Sequence, residues 1–244
     1  MISVCIPTYN GEKYIHRQLE SILSQIGEKD EVIISDDSST DGTIEIIKGF
    51  NDSRIQLFEN CLYKNTIFNI ENALKRAKGE YIFLSDQDDV WLPGKVSKTL
   101  EMLCEHDIVV CNSHIVDQDE KIIHESYFKW RGIKPGFINN LGKSAYLGCA
   151  LAFNRKILDF ILPFPKKIAM HDIWIGVVSE LIGKTFFIQE QLFLYRRHEG
   201  NLTAAIHKAD DELSDLKVWY KVWYRMVLVW YLGVRYIERR VLNR

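Results

Sequence analysis

The sequence lacks the features of several protein classes. Its five cysteines are odd in number and contain no C-x-x-C pair, which favours reduced thiols over disulfides or a zinc-thiolate site. The net charge of −2 provides no general attraction for nucleic acid. The longest uncharged run near the C-terminus, from Met226 to Val234, has nine residues, whereas a membrane-spanning helix needs about 20. We therefore expect neither a disulfide scaffold, nor a nucleic-acid-binding protein, nor a spanning segment there.

The N-terminus lacks the apolar region of a secretory signal peptide, because MISVCIPTYN reaches a proline at position 7. The sequence therefore predicts a cytoplasmic protein. A length of 244 residues, with 47% of them hydrophobic, is sufficient to bury a full core in one domain or in two closely merged halves.

Apolar runs alternate with amphipathic segments in the first hundred residues or so. The runs ISVCIP, DEVIISDD, RIQLFEN and EYIFLS are typical of strands, and the segments between them have helical periodicity. This alternation predicts an α/β fold with an open, mostly parallel sheet that binds ligands at the carboxyl ends of its strands. In the second half we expect an irregular loop with one hairpin at 118–143 and two short strands in KTFFIQEQLFLYRRH. There we also expect a ligand to approach the backbone at Gly148.

Acidic and polar clusters follow three of the predicted strands. PTYNGE follows the first strand, SDDSSTDG the second and SDQDDVW the fourth. The sheet would bring these clusters together, and their carboxylates are those of Asp36, Asp37, Asp86, Asp88 and Asp89. So much negative charge predicts Mg²⁺ or Mn²⁺ with oxygen ligands, and with it a phosphate group. Alternatively the aspartates stabilise turns or cap helices, as we expect for one of Asp36 and Asp37.

Six segments together resemble the inverting family 2 glycosyltransferases with the GT-A fold. The matching segments, in the order of that family, are VCIPTYNGEKYI, IISDDSSTDGT, NIENALKRAKGEYIFLSDQDDVWLPGK, LGCALAFNRKIL, MHDIWIG and LYRRHEGN. They cover roughly residues 2 to 205, and the set is highly specific although each segment alone is weak. The variants SDQDDVW and YRRHEGN look most like members that build bacterial surface polysaccharide, such as rhamnosyltransferases.

The resemblance implies a Rossmann-like, mostly parallel central sheet flanked by helices. It implies a GT-A domain over 1–205, with a nucleotide-binding half at 1–100 and an acceptor-binding half at 101–205. The implied nucleotide-binding residues are Thr8, Tyr9, Glu12, Asp36, Asp37 and Asp86. The implied ligands of Mn²⁺ or Mg²⁺ are Asp88, Asp89 and His198, although a single histidine is more often structural.

Inverting transfer needs a base that takes the proton of the acceptor hydroxyl while its oxygen attacks the anomeric carbon. The resemblance assigns this role to Asp172 in MHDIW, whose alternative role is the N-cap of the following helix. Arg196 and Arg197 are candidates for charge-assisted hydrogen bonds to the diphosphate, or for pairing with surface acids. Trp174 is a candidate for stacking on a sugar, or a core residue. His171 replaces an acid that is frequent in the family, so it is assigned no charge role.

The C-terminal extension at 206–244 is basic and aromatic. Between 217 and 244 the chain carries seven basic residues and one acid, a net charge of +6, on a body that is otherwise acidic. A helix that mixes tryptophan and tyrosine with lysine and arginine suits a membrane interface, and we expect peripheral contact with the cytoplasmic face of the cell membrane. The alternatives are packing on the body and a homodimer interface.

We interpret the chain as a metal-dependent, inverting hexosyltransferase. Its donor would be a UDP- or dTDP-sugar, and its acceptor a hydroxyl of a growing, lipid-linked cell-surface polysaccharide. One alternative is a sugar-phosphate nucleotidyltransferase, but PTYNGEKY lacks the glycine-rich basic loop expected there. The other is a non-catalytic nucleotide-sugar-binding scaffold, against which intact Asp86, Asp88 and Asp172 argue.

Overall fold

The computed structural model describes residues 1–133, 136, 146–168, 170–198 and 216–242. The strands are β1 Ile2–Thr8, β2 Glu31–Asp36, β3 Ile55–Phe58, β4 Tyr81–Leu84, β5 Val90–Trp91, β6 Ile108–Val116, β7 Ile122–His124, β8 Leu151–Asn154 and β9 Thr185–Arg196. The helices are α1 Ile15–Leu23, α2 Thr43–Gly49, α3 Thr66–Arg76, α4 Lys95–Leu103, α5 Tyr127–Arg131, α6 Arg155–Ile161, α7 His171–Ile182 and α8 Leu216–Leu242, with a short 3₁₀ helix at Gly148–Ala150. The predicted junction at 205/206 and part of the predicted loop 118–143 lie outside the described residues, so the domain boundaries stay predictions.

The first half of the chain forms the parallel part of the sheet, in the order β3-β2-β1-β4. β1 pairs in parallel with β2 and β4, with Thr8 opposite Asp36 and Cys5 opposite Leu84. Both β1 and β2 are buried along their whole length, as expected for strands covered by helices on both faces. Because the strand order reverses at β1, a crevice opens between the carboxyl ends of β1 and β4. The predicted α/β sheet is confirmed.

The second half adds a mixed part of the sheet, in the order β8-β6-β9-β5. β8 runs antiparallel between β4 and β6, and β9 runs parallel to β6. β7 pairs with the end of β6, so the hairpin found here has only its second strand within the segment 118–143 where one was predicted. The prediction of two short strands in KTFFIQEQLFLYRRH is wrong, because β9 is continuous and a register shift beside Asn112 of β6 takes up the irregularity.

β9 and α7 bring later parts of the chain to the crevice. β5 pairs antiparallel with β9, with Val90 opposite Leu194, so the end of β9 lies beside the loop 85–89 that follows β4. α7 begins at His171, whose ring lies against the 3₁₀ helix: a Cβ atom on Gly148 would be 2.7 Å from its Nε2 atom. The expectation that Gly148 admits a ligand is therefore wrong, because the glycine makes room for this imidazole.

α8 packs on the body through one of its faces. Leu228 and Leu232 are buried, and the guanidinium of Arg235 donates a hydrogen bond of 2.9 Å to the carbonyl of Phe160 in α6. Among the helices in the described ranges, none is long and apolar enough to cross a membrane.

Candidate active site

The acidic loop, residues 85–89, lies at the crevice between β1 and β4. Gln87 fixes this loop to the end of β1: its Oε1 atom accepts a hydrogen bond from the N–H of Tyr9 at 2.9 Å, and its Nε2 atom donates to the Tyr9 carbonyl at 3.0 Å. Gln18 of α1 donates to the hydroxyl of Ser85 at the beginning of the loop. These amide contacts set the position of the three carboxylates that follow Ser85.

The carboxylates of the acidic loop are poorly compensated. Asp89 is 1% exposed; its Oδ1 atom accepts a hydrogen bond of 3.1 Å from the N–H of Arg196, and its Oδ2 atom accepts none from any described residue. Burial, together with the charge of Asp88, raises the pKa of Asp86 to about 7. Burial and the charges of both neighbouring aspartates raise the pKa of Asp89 well above its usual range. Buried carboxylates in such a setting favour a bound cation.

Asp88 and His198, which the resemblance assigns to one metal site, lie in direct contact. The Nε2 atom of His198 and the Oδ2 atom of Asp88 are 2.8 Å apart. The imidazole packs on the ring of Tyr14, with 4.8 Å between the ring centroids. An imidazole nitrogen and a carboxylate oxygen in this arrangement can share a proton or bind the same ion.

Arg196, at the end of β9, donates hydrogen bonds to the acidic loop. The residue is 3% exposed, and its Nε atom donates to the main-chain carbonyl of Asp88 at 2.8 Å. Its Nη1 and Nη2 atoms donate to the carbonyl of Gln118 at 2.8 Å and to the carboxylate of Glu120 at 3.0 Å. The side chain of Glu120 is 33% exposed, so the predicted pairing of Arg196 with a surface acid is confirmed. The guanidinium is also buried and positions the acidic loop, and its hydrogen bonds go to these partners rather than to a diphosphate.

Asp172 lies in the first turn of α7 and is 6% exposed. The N-cap position belongs to Met170, so the alternative role of Asp172 as N-cap is wrong. Burial raises the pKa of Asp172 to about 6, and the charge of Asp172 contributes to the raised pKa of Asp86, so the two carboxyls interact electrostatically. Burial lowers the pKa of His171 to about 4, so its imidazole is neutral at pH 7.

Asp36 and Asp37 have partners within the protein. Asp36 accepts hydrogen bonds from the hydroxyl of Thr8 and from the N–H of Ser39, both at 2.8 Å. Asp37 accepts from the N–H groups of Tyr63 at 2.7 Å and Asn65 at 3.2 Å. Asp36 is therefore the member of the pair that stabilises the turn, and Asp37 fixes the segment that leads into α3.

The loop after β1 carries the other predicted nucleotide residues. Glu12 accepts a hydrogen bond of 2.7 Å from the N–H of Gly42 at the beginning of α2. Tyr9 is 57% exposed next to Gln87. The structure thus brings the ends of β1, β2 and β4 together, and the nucleotide-binding roles of these residues stay predictions.

The chain matches a known protein family over most of its length. The family described as "Glycosyl transferase family 2" matches residues 3–162, which include β1, β2, β4 and the acidic loop. The chain belongs to glycosyl transferase family 2. Two similar proteins of Escherichia coli are named UDP-Glc:alpha-D-GlcNAc-diphosphoundecaprenol beta-1,3-glucosyltransferases. WfaP is 28% identical over 96% of this chain and 93% of its own length, and WfgD is 28% identical over 74% and 70%.

Solved structures confirm the GT-A type of fold for this family 2 chain. TarS of S. aureus in complex with UDP-GlcNAc has a TM-score of 0.67 at 20% identity, over 84% of this chain and 60% of that one. The mannosyltransferase PcManGT of Pyrobaculum calidifontis, in complex with GDP-Man and Mn²⁺, has a TM-score of 0.61 at 21% identity, over 84% and 59%. The chain thus spans about 60% of the length of these solved structures.

The donor atoms of the family 2 site fit a hard divalent cation. Asp86, Asp89 and Cys149 offer ligand atoms within 4.8 Å of one another, and the Oδ2 atom of Asp89 is buried without a hydrogen bond from a described residue. Burial, followed by the charges of Asp89 and Asp86, raises the pKa of the Cys149 thiol well above its usual range. A protonated thiol is a poor ligand. Carboxylate oxygens therefore dominate the set, as Mg²⁺ and Mn²⁺ prefer.

The other two predicted diphosphate or acceptor residues differ in their surroundings. Trp174 is 0% exposed and its indole N–H donates to the carbonyl of Ile161 at 3.1 Å, so the prediction that it stacks on a sugar is wrong and its alternative as a core residue is correct. The guanidinium of Arg197 lies over the ring of Trp130, 5.3 Å from its centroid. Its contact with a phosphate stays a prediction.

Sequence reasoning missed Gln87, Tyr14 and Cys149. Gln87 stands between aspartates in SDQDD, and Tyr14 has the helical spacing of a core residue, so neither carries a local signal of its role. Cys149 was assigned to the core with the other cysteines, and it is buried, but it also faces two carboxylates. Only the fold places these side chains at the site.

Proposed function

We propose that this chain is a metal-dependent, inverting glycosyltransferase that transfers a hexosyl group from a UDP- or dTDP-sugar to a growing, lipid-linked cell-surface polysaccharide. The observation that carries the proposal is the close placement of Asp86 and Asp89 in the acidic loop, where burial and neighbouring charges raise the pKa values of both carboxyls. The loop lies where the strand order reverses, which is where nucleotides bind in open α/β sheets. Membership of family 2 supports sugar transfer as the reaction.

The nucleotide of the donor would bind between the ends of β1 and β2. We assign Thr8, Tyr9, Glu12, Asp36, Asp37 and Asp86 to this pocket. Each oxygen of Asp37 accepts one backbone hydrogen bond, which leaves a second lone pair for an N–H group of the base. Thr8 and Glu12 would shape the pocket through their own hydrogen bonds, and the exposed ring of Tyr9 offers a flat surface to the nucleotide.

We assign Asp88, Asp89 and His198 as the residues that would hold Mn²⁺ or Mg²⁺. Asp89 is the member of this set whose carboxylate is grouped with the ligand atoms of Asp86 and Cys149, while Asp88 and His198 contact each other at 2.8 Å. When bound there, the ion supplies electrostatic stabilisation of the charge that develops on the diphosphate leaving group. Arg196 supports this site through the main chain of Asp88 and the carboxylate of Asp89. Arg197, at the edge of the site, remains our candidate for a charge-assisted hydrogen bond to the phosphates.

Asp172 would act as the general base. Its carboxylate takes the proton of the acceptor hydroxyl as the hydroxyl oxygen forms a bond to the anomeric carbon. On the opposite face, the bond between that carbon and the diphosphate oxygen breaks, so the configuration at the carbon is inverted. A pKa of about 6 keeps the carboxylate mostly ionised at pH 7 and makes it more basic than an exposed aspartate. The neighbouring His171 stays neutral, and the carboxylate of Asp172 accepts a hydrogen bond of 2.7 Å from the N–H of Ile173.

The names of the similar proteins support the donor and the acceptor that we propose. Two E. coli relatives are named for UDP-Glc and for a diphosphoundecaprenol-linked sugar, and TarS was solved with UDP-GlcNAc. A lipid-linked acceptor would be met at a membrane surface. We therefore propose a peripheral location on the cytoplasmic face of the membrane, with contact through α8 and with a homodimer interface as the alternative.

A thermal-shift screen tests the donor site. The purified full chain is heated with UDP-, dTDP- and GDP-sugars, with Mn²⁺ and with EDTA. We expect UDP- or dTDP-sugars to raise the unfolding midpoint only with Mn²⁺, because a ligand at 100 times its Kd stabilises the native state by about 2.7 kcal/mol. A GDP-sugar that gives the largest shift would contradict the donor assignment, and equal shifts in EDTA would contradict the metal.

A transfer assay tests the reaction. The stabilising donor, radiolabelled in its sugar, is incubated with a synthetic lipid-diphosphate-linked sugar, and the anomeric configuration of the product is determined by NMR. We expect a labelled product of inverted configuration. Donor binding without transfer to any acceptor would favour the non-catalytic scaffold, and release of diphosphate with formation of a new nucleotide sugar would favour the nucleotidyltransferase.

A further inference from the structure

One face of α8 is fixed to the body. Leu228 and Leu232 are 1% and 5% exposed, and Tyr231 packs against the core beside them. Residues 228, 231, 232 and 235 lie on one side of a helix that turns 100° per residue. This side is the docked face of α8.

Arg235 prevents rotation of α8 about its axis. Its Nη1 atom donates to the carbonyls of Phe160 and Leu162, and its Nη2 atom donates to the carbonyl of Pro163 at 2.6 Å. Its guanidinium carbon lies 6.0 Å from the ring centroid of Trp174 in α7. The docked face is thus held by a buried apolar contact and by an arginine with several acceptors.

The opposite face of α8 is apolar and exposed. Trp223, Met226, Trp230 and Ile237 are 46%, 60%, 70% and 63% exposed. Their spacing of three, four and seven residues aligns them in one stripe along the helix. Exposed side chains of this size are uncommon on the surface of a monomeric protein and mark an interaction surface when they are contiguous.

The basic charge of the segment 217–244 favours an anionic bilayer over a second copy of the chain as the partner of this stripe. Apart from Arg235, which faces the body, the segment 217–244 carries six basic residues and one acid, so a second copy would bring a charge of +5 against a charge of +5. An anionic bilayer instead attracts each basic residue near its surface by about 1 kcal/mol. Tryptophan is the side chain that prefers the boundary between headgroups and acyl chains. Both features favour a lipid surface over a second copy.

We propose that the stripe Trp223, Met226, Trp230 and Ile237 is the surface by which this protein lies on an anionic bilayer, with the docked face turned toward the body. The inference specifies the membrane contact of the proposed function, and its occupant is the headgroup region of a bilayer. Trp174, which Arg235 contacts, is two residues from Asp172 in α7. Attachment through the stripe therefore holds the proposed base in a fixed orientation to the membrane, where a lipid-linked acceptor would be presented.

Vesicle sedimentation of the full chain tests the inference. The stripe variant carries Trp223→Ser, Met226→Ser, Trp230→Ser and Ile237→Ser, and the control carries Ile122→Ser and Ile123→Ser on β7, which are 49% and 50% exposed. We expect wild type and control to sediment with vesicles of 30% phosphatidylglycerol, and the stripe variant to bind at least tenfold more weakly. Wild type should bind pure phosphatidylcholine more weakly than the anionic vesicles.

Four readouts separate the possible failures. Equal vesicle binding by the stripe variant and wild type would overturn the inference. Loss of a dimer in light scattering, without vesicle binding by wild type, would also overturn it in favour of a second copy. If the stripe variant does not fold by circular dichroism, the double variant Met226→Ser and Trp230→Ser is tested in its place. Transfer to a water-soluble acceptor by wild type and the stripe variant tests the proposed reaction independently of the membrane.

Discussion

Two acidic segments lie at the ends of β2 and β4, the parallel strands on either side of β1, and their carboxylates have different surroundings. After β2, the carboxylate of Asp36 accepts hydrogen bonds from Thr8 and Ser39, and both oxygens of Asp37 accept backbone hydrogen bonds. After β4, the Oδ2 atom of Asp89 accepts none from the described residues, and burial with the charge of Asp88 raises the pKa of Asp86 to about 7.

The difference distinguishes a structural aspartate from one arranged for a ligand. A buried carboxylate is stable when donors surround it, as in the segment after β2. Close carboxylates with raised pKa values, such as those of Asp86 and Asp89, destabilise the fold unless a positive charge joins them. The acidic loop is therefore the segment whose partner comes from outside the chain, although the two segments look alike in sequence.

Replacement of Asp172, another acidic residue of the candidate site, is expected to have the largest effect on activity. Asp172→Asn should lower kcat by about 10²–10⁴-fold, because the amide cannot take the proton of the acceptor, while donor affinity stays unchanged. Steady-state kinetics with the radiolabelled donor measures both quantities. Asp159→Asn, on the exposed side of the neighbouring helix α6, is the matched control and should retain wild-type kcat.

The pH dependence of transfer checks the same assignment. The base acts only when ionised, and burial raises the pKa of Asp172 to about 6, so kcat should rise with pH through 6 and level off above 7. Residual transfer by Asp172→Asn should not show this acidic limb. A variant with near-normal kcat, or with an unchanged acidic limb, would remove Asp172 as the base.

Asp88 tests the acidic loop itself, with the next largest effect. Asp88→Asn should lower transfer by about 10²–10³-fold, because several kcal/mol of charge stabilisation of the leaving group depends on the bound ion. The midpoint shift of the donor with Mn²⁺ should disappear as well. Asp30→Asn, at the opposite end of β2, is the control and should keep both the shift and the activity. Unchanged Mn²⁺-dependent binding in Asp88→Asn would contradict the metal assignment.

The parallel half was predictable from sequence because its signals are local. β1 to β4 are short apolar runs that end in polar clusters, and chain order fixes where such ends meet. The sequence therefore predicts that Asp36, Asp37 and Asp86 lie close together. The resemblance to family 2 added Asp172 and His198, which lie far along the chain and carry no local signal.

The other features of the site depend on long-range contacts, which sequence patterns do not encode. By its sequence, Arg196 is consistent with either a phosphate ligand or the partner of a surface acid, and its contact with Glu120 agrees with the second. Its hydrogen bonds to the carbonyls of Asp88 and Gln118 carry no signal in the sequence. Trp174 lies in a mostly apolar helix, so the periodicity of the sequence does not show whether its side chain faces the core or the site. β9 stays continuous only because β6 tolerates a register shift.

The smallest expected effect is on stability, and it tests the contrast without ligand. Asp36→Asn replaces one carboxylate oxygen, which accepts a hydrogen bond from Thr8 or Ser39, by an NH₂ group that can only donate. The change should lower the free energy of unfolding by about 1–2 kcal/mol. Asp89→Asn keeps an oxygen that accepts a hydrogen bond from the N–H of Arg196. It replaces the Oδ2 atom, which has no hydrogen bond from a described residue, by an NH₂ group. It also removes the charge that is repelled by Asp86 and Asp88. In EDTA it should therefore raise the unfolding midpoint by a few degrees, at about 2–4 °C per kcal/mol for a chain of this size. Calorimetry in EDTA measures both midpoints, and a fall for both variants would show that the two acidic segments are equally structural.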